Sequence, residues 1–175
     1  MTSVVLSIGS NMGDRMAHLQ SAVDGLGGAV VAVSPVYVTD AWGGVEQEPF
    51  LNAVVLADDP GADARCWLDR AQRLEAAASR VRAQRWGPRT LDVDLISCYG
   101  TDGEVISDDP DLTLPHPRAH LRAFVLVPWL AVDPDATLTV GSGPCRVAEV
   151  LCSLDPQELT GVRSTDLALQ TGGAR

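Results

Sequence analysis

Four arginines, Arg80, Arg82, Arg85 and Arg89, follow one another with no acid between them and run into Asp92 and Asp94, in the order R-V-R-A-Q-R-W-G-P-R-T-L-D-V-D. These residue types together suit a magnesium-bound polyphosphate. Guanidinium groups grip non-bridging phosphate oxygens through bidentate, charge-assisted hydrogen bonds, and carboxylates suit the hard cation that accompanies them. An arginine run by itself is ordinarily a solvated basic loop. Here it stands in a chain of net charge -10, so it reverses the local field and draws an anion to one place.

The aspartates depend on the backbone beneath them. Leu91, Val93 and Leu95 alternate with Asp92 and Asp94 and lead into Ile96, the period-two pattern of a strand with one buried face. Both carboxylates then point the same way, about 6.5–7 Å apart at the backbone. That spacing lets them converge on one or two metal ions, and like charges on one face repel unless something cationic lies between them.

Other polar residues need explaining one at a time. Asn52 interrupts the apolar run Phe50 to Leu56, so its amide is satisfied either by neighbouring backbone or by a flat heterocycle with its own donors and acceptors. Gln72 and Glu75 lie three apart on a helix; alone they read as solvated surface, and they are also placed to face a ligand. His116 and His120 are four apart, but Pro117 stands between them and no cysteine is near, which argues against zinc. His116 reads better as a hydrogen-bond donor near phosphate, with Arg118 or Arg122.

The elements that must position these groups follow in chain order. Val4 to Ile8 is a short strand stopping at Gly9-Ser10-Asn11, where Ser10 or Asn11 can cap a helix carrying Met16, Leu19, Ala22, Val23 and Leu26 up to Gly27-Gly28. Ala29 to Tyr37 is a second strand broken at Pro35, and Phe50 to Leu56 a third. Asp63 to Arg82 is a strong amphipathic helix, followed by the aspartate strand. Gly100 to Asp111 is turn-rich, Phe124 to Val132 is apolar, and one short helix is expected around Val147 to Leu154. Strand, helix, strand, strand, helix, strand predicts an α+β chain of ferredoxin-like plan, with an antiparallel sheet and helices packed on it. One domain is expected over residues 1–175, the stretch after about 135 carrying no functional assignment.

Composition narrows the chemistry. The chain contains no lysine, all 13 basic residues being arginine, which excludes a Walker A loop, a Schiff-base lysine and the strand lysine of a protein kinase. Any nucleotide is held by arginine, metal and backbone. The acidic balance argues against nucleic acid as a partner. Four cysteines without a CxxC pair, no basic n-region and no long apolar run point to a cytoplasmic chain with no membrane partner.

Several segments in order resemble the 6-hydroxymethyl-7,8-dihydropterin pyrophosphokinase family of folate biosynthesis, over roughly Val4 to Pro134. They are L-S-I-G-S-N at the start, F-L-N-A-V at Phe50 to Val54, R-W-G-P-R-T-L-D-V-D-L-I at Arg85 to Ile96, and L-P-H-P-R-A-H-L-R-A-F-V-L at Leu114 to Leu126. The resemblance implies a ferredoxin-like fold and transfer of the terminal pyrophosphate of MgATP to the pterin hydroxymethyl group, releasing AMP. It implies that Asp92 and Asp94 hold two magnesium ions. Arg82 and Arg89 would be catalytic contacts to phosphate, with His116 and Arg122 on the other side and Gln72 and Glu75 on the nucleotide-side helix. Thr39, Trp42, Phe50, Asn52, Trp86 and Phe124 fall on the pterin side, where a ring would stack between aromatics and Asn52 would read its polar edge. Many members carry T-P-P after the second strand, whereas this chain has Thr39-Asp40-Ala41-Trp42. A monomer is expected. Two other classes fit parts of the pattern: another magnesium-dependent nucleotide enzyme on this fold, and a non-catalytic effector-binding module, which would have no use for Asp92 and Asp94.

Overall fold

The N-terminal strand is longer than its apolar centre: β1 (Thr2–Ser10) is buried without a break from Val4 to Ser10, as a strand covered on both faces must be. The computed structural model describes residues 2–41, 47–78 and 89–172. α1 (Arg15–Leu26) is capped by Asp14, which accepts the Ala17 N–H, and not by Ser10 or Asn11. Those two stay buried at the strand end. Leu19, Ala22, Val23 and Leu26 form the buried stripe of the helix.

The second strand is two. β2 (Val30–Val33) and β3 (Tyr37–Thr39) flank Ser34-Pro35-Val36, because Pro35 has no N–H for a ladder. Ser34 carries the ladder across the gap: its N–H donates to Val54 O and its Oγ accepts from the Val54 N–H, both at 2.9 Å. β4 (Phe50–Asp59) therefore pairs with both halves. α2 (Ala64–Ala77) starts at the Asp63 cap and ends before the expected Arg82; residues 79–82 lie outside the described residues. β5 (Asp92–Gly100) follows.

The remaining chain is more structured than its sequence suggests. β6 (Gly103–Glu104), β7 (Ser107–Asp109) and β8 (Leu112–Leu114) fill the turn-rich stretch, and α3 (Ala123–Val132) is the apolar segment. β9 (Thr137–Val140), β10 (Gly143–Arg146), α4 (Val147–Cys152), α5 (Pro156–Thr160) and β11 (Val162–Ser164) complete it. The main sheet runs β11-β3-β4-β1-β5-β6, with β2 also on β4. Every pairing in it is antiparallel. The order of β3, β4, β1 and β5 is that of a ferredoxin-like α+β fold.

Both faces of the sheet are covered. One core gathers Val4, Leu6, Ile8, Leu51, Ala53, Val93 and Leu95 under α1 and α2, with Trp67 at its centre. The other gathers Val5, Val54 and Ile96 under α3 and α4, with Trp129. α1 and α2 lie together on one face, and α3 covers the other because its apolar residues surround the whole helix rather than one stripe.

Candidate active site

Sheet geometry decides where the aspartates go. Val93 and Leu95 turn into the α1/α2 core, so Asp92 and Asp94 emerge together on the α3 side. Asp92 lies opposite Gly9, and Gly9 lies opposite Asn52 on the next strand. The row Asn52, Gly9, Asp92 thus crosses the two central pairings of the sheet. A side chain at Gly9 would collide with Asn52 Oδ1, so this position must be bare.

Each carboxylate already has an arginine. Arg89 Nη1 donates to Asp92 Oδ2 at 2.5 Å, and Arg122 Nη1 donates to Asp94 Oδ2 at 2.9 Å. Arg122 is buried at the start of α3, with its guanidinium carbon 5.4 Å from the centre of the Phe124 ring, within cation–π range. His116 stands beside this pair. Its Nδ1 accepts the Arg118 N–H at 3.1 Å, which places the ring proton on Nε2, 4.0 Å from Asp94 Oδ2. Burial first, then the charges of Arg122 and Arg118, push its pKa down to about 4. At neutral pH the imidazole is therefore an uncharged N–H donor, and its approach to Asp94 is not an ion pair.

The helix pair separates into two roles. Gln72 is exposed, whereas Glu75 is buried on the same stripe as Trp67 and Ala71, and its Oε1 accepts the Val93 N–H at 3.0 Å. The carboxylate thereby ties α2 to the strand that carries both aspartates. Beside that tie opens a cleft of about 310 Å³ lined by Gln72, Glu75, Asp94, Leu112, Thr113 and His116.

On the other side of Gly9, Asn52 finds a side chain where backbone or ligand had been expected. Its Nδ2 donates to Thr39 Oγ1 at 2.5 Å, and both residues are buried. Thr39 is paired with Phe50, whose half-buried ring lies next to Gly9. Thr39 and Phe124 also share a pocket of about 90 Å³ with Asp40, Gln157, Gly161 and Val162. Trp42, Arg82 and Trp86 lie outside the described residues.

Asn11 is the residue whose importance the sequence concealed. Its Oδ1 accepts the Arg89 N–H at 2.8 Å and its own N–H donates to Arg89 O at 3.1 Å. Its Nδ2 donates to Gln47 Oε1 at 2.9 Å and Glu48 O at 3.0 Å. One buried amide therefore fixes Arg89 and the segment before β4 to the end of β1. In sequence an Asn after Gly-Ser looks like a cap, and nothing local distinguishes a cap from such a clamp.

The donor set fits magnesium. Two hard carboxylates share one face, partly open to solvent, and no cluster of three His, Cys, Asp or Glu occurs among the described residues. Magnesium commonly takes one or two protein carboxylates and completes its shell with water and substrate phosphates.

Residues 5–134 match the family described as 7,8-dihydro-6-hydroxymethylpterin-pyrophosphokinase (HPPK). The chain belongs to the HPPK family. It is 66% identical over 176 residues to 2-amino-4-hydroxy-6-hydroxymethyldihydropteridine pyrophosphokinase of Mycobacterium leprae, covering 97% of this chain and 92% of the relative. The Mycobacterium tuberculosis enzyme of that name is 60% identical over 168 residues, covering 93% and 89%. A Plasmodium falciparum HPPK-DHPS crystal structure superposes with a TM-score of 0.61 at 12% identity. This chain, 86% of which is covered, spans 44% of that longer one, and the likeness concerns the fold. As an HPPK the chain is an enzyme, a pyrophosphokinase of folate biosynthesis.

Proposed function

We propose that the chain transfers the β,γ-pyrophosphate of MgATP to the hydroxymethyl group of 6-hydroxymethyl-7,8-dihydropterin. The hydroxyl oxygen bonds to the β-phosphorus, the bond from that phosphorus to the α,β-bridging oxygen breaks, the bridging oxygen leaves with AMP, and the hydroxyl proton is lost. The observation that carries this reading is the shared sheet face: Asp92 lies in one row with Asn52, Gly9 between them, and Asp94 lies in a neighbouring row, each carboxylate with its arginine and Asn52 with Thr39.

In this reading Asp92 and Asp94 hold two magnesium ions. Metal bound there would offset phosphate charge and polarise the attacking hydroxyl. Arg89 and Arg122, now engaged by the carboxylates, are placed to exchange carboxylate for phosphate, since the same planar fork suits both. His116 donates its Nε2–H to a phosphate oxygen without adding charge. Gln72 and the Glu75 wall border the nucleotide, and Arg82 is a further phosphate contact. Asn52 reads the polar edge of the pterin, Thr39 orients Asn52, and Phe50, Phe124, Trp42 and Trp86 pack against the ring. Positioning and preorganised charge supply most of the rate in such transfers. The proton passes to Asp94, or to water once bound metal would have polarised the hydroxyl.

The enzyme acts as a cytoplasmic monomer; among the described residues no helix is long and apolar enough to cross a membrane. The deciding assay incubates purified protein with MgATP and the pterin and scores AMP against ADP. AMP that requires both pterin and magnesium is the expected product. ADP would indicate ordinary phosphoryl transfer, and no product would favour an effector-binding module.

A further inference from the structure

We propose that the segment from Gln157 to Thr165, which lies beyond the span matched by the family, positions the pterin side of the site by fixing Thr39 and, through it, Asn52. The inference rests on the reading that Thr39 and Asn52 face the pterin. β11 pairs with β3 in the register Val162 opposite Thr39 and Arg163 opposite Val38. The Asp40 N–H donates to Gly161 O at 2.9 Å. In an antiparallel ladder bonded pairs alternate, so Val38 and Arg163 form the next bonded pair and the Arg163 N–H points into the sheet. Arg163 Nη2 also donates to Asp40 Oδ1 at 2.8 Å. Thr165 Oγ1 donates to Val36 O at 2.6 Å, and the Val36 N–H donates to Leu167 O at 3.3 Å.

These bonds fall on the strand that carries Thr39. β3 has three residues and follows a proline break, so one flank of pairing to β4 is a slender support for it. β11 supplies the second flank. Thr39 Oγ1 accepts from Asn52 Nδ2, so a shift of β3 moves or frees the amide that reads the ring. The segment also helps to enclose the substrate side, since Gln157, Glu158, Gly161 and Val162 form the outer wall of the pocket whose inner wall is Thr39 and Phe124.

The test uses the full chain. Arg163→Pro removes the ladder N–H together with the guanidinium, whereas Asp40→Arg and Arg163→Asp reverse the ion pair singly and restore it in combination. KM for the pterin and for ATP is measured in each, with thermal unfolding alongside. In Arg163→Pro the pterin KM should rise about ten- to hundredfold with the ATP KM unmoved, since a displacement on the order of 1 Å costs about that much. The single reversals should raise the pterin KM by up to about fivefold, the reach of a partly exposed pair, and the double reversal should bring it back. An unchanged pterin KM in all four chains overturns the inference, as does a parallel rise for both substrates that merely tracks lost stability. A wild-type chain that makes no AMP with the pterin removes the underlying reading as well, whereas active wild type with unmoved variants removes the inference alone.

Discussion

The two sides of Gly9 are built on different principles. On the β5 side, charge is dense and local: Arg89 and Asp92 are three residues apart, and the strand register aims Asp92 and Asp94 together. On the β3 side there is one neutral hydrogen bond, Asn52 to Thr39, and its surroundings come from β3, β4, α3 and the C-terminal segment. The stretch from Arg89 to Asp94 is encoded locally because a strand places alternate side chains on one face automatically, and Arg122 and His116 join it from farther along the chain. A half that must match a flat, neutral ring needs walls from several directions, and no short stretch of chain supplies them.

The largest loss is expected from the charged half. Asp94→Asn keeps an acceptor for buried Arg122 and removes the charge, so AMP formation should fall by about 10²–10³-fold, the scale of losing one group that stabilises transition-state charge. An unfolding midpoint close to wild type would confirm that the loss is chemical; near-normal turnover would end the metal assignment. The neutral half should respond in binding instead. Asn52→Ala should raise the pterin KM about ten- to hundredfold with the ATP KM unmoved, as expected for about 1–3 kcal/mol of lost polar contact. Equal effects on both substrates would erase the distinction between the halves.

Smaller effects sharpen the comparison. Glu75→Ala leaves the Val93 N–H without its acceptor and should cost about 1–3 kcal/mol in denaturant unfolding, with Glu75→Gln recovering most of it. Recovery of stability without recovery of the ATP KM would give the carboxylate a separate role at the nucleotide. Asn11 joins Arg89 to the segment before β4, and Asp offers a way to divide those ties: Asn11→Asp keeps the acceptor for Arg89 and loses the donors to Gln47 and Glu48. Its stability deficit should be smaller than that of Asn11→Ala, each lost bond counting about 0.5–1.5 kcal/mol.

The smallest effect is a pH slope. In the metal-free chain His116 titrates near 4 when folded and near its ordinary 6.5 when unfolded. The unfolded state then binds more protons between those values, so its contribution to stability is complete above 6.5 and is lost as pH falls toward 4. His116→Gln should flatten that part of the stability profile, and a ring resonance titrating near 6.5 in the folded chain would contradict the burial argument.

Sequence alone determined much of the charged half. The alternation of Leu91, Val93 and Leu95 with the aspartates fixed their common face, because side chains on a strand alternate whatever surrounds it. The same periodic logic placed both long helices and the ferredoxin-like order. It placed the end of α2 five residues too late, at Arg82 rather than Ala77, and could not tell that Asp14 and not Asn11 is the cap, since several residues nearby can accept the same N–H groups. It could not distinguish Glu75 from Gln72, because burial of a carboxylate depends on the strand that comes to meet it. Only the tertiary structure decided that Asn11 clamps Arg89, that Asn52 rests on Thr39, and that the segment after α3 returns to close the sheet beside them. Those facts join residues 13 to 123 positions apart, and the partners of a long-range hydrogen bond leave no local period in the chain.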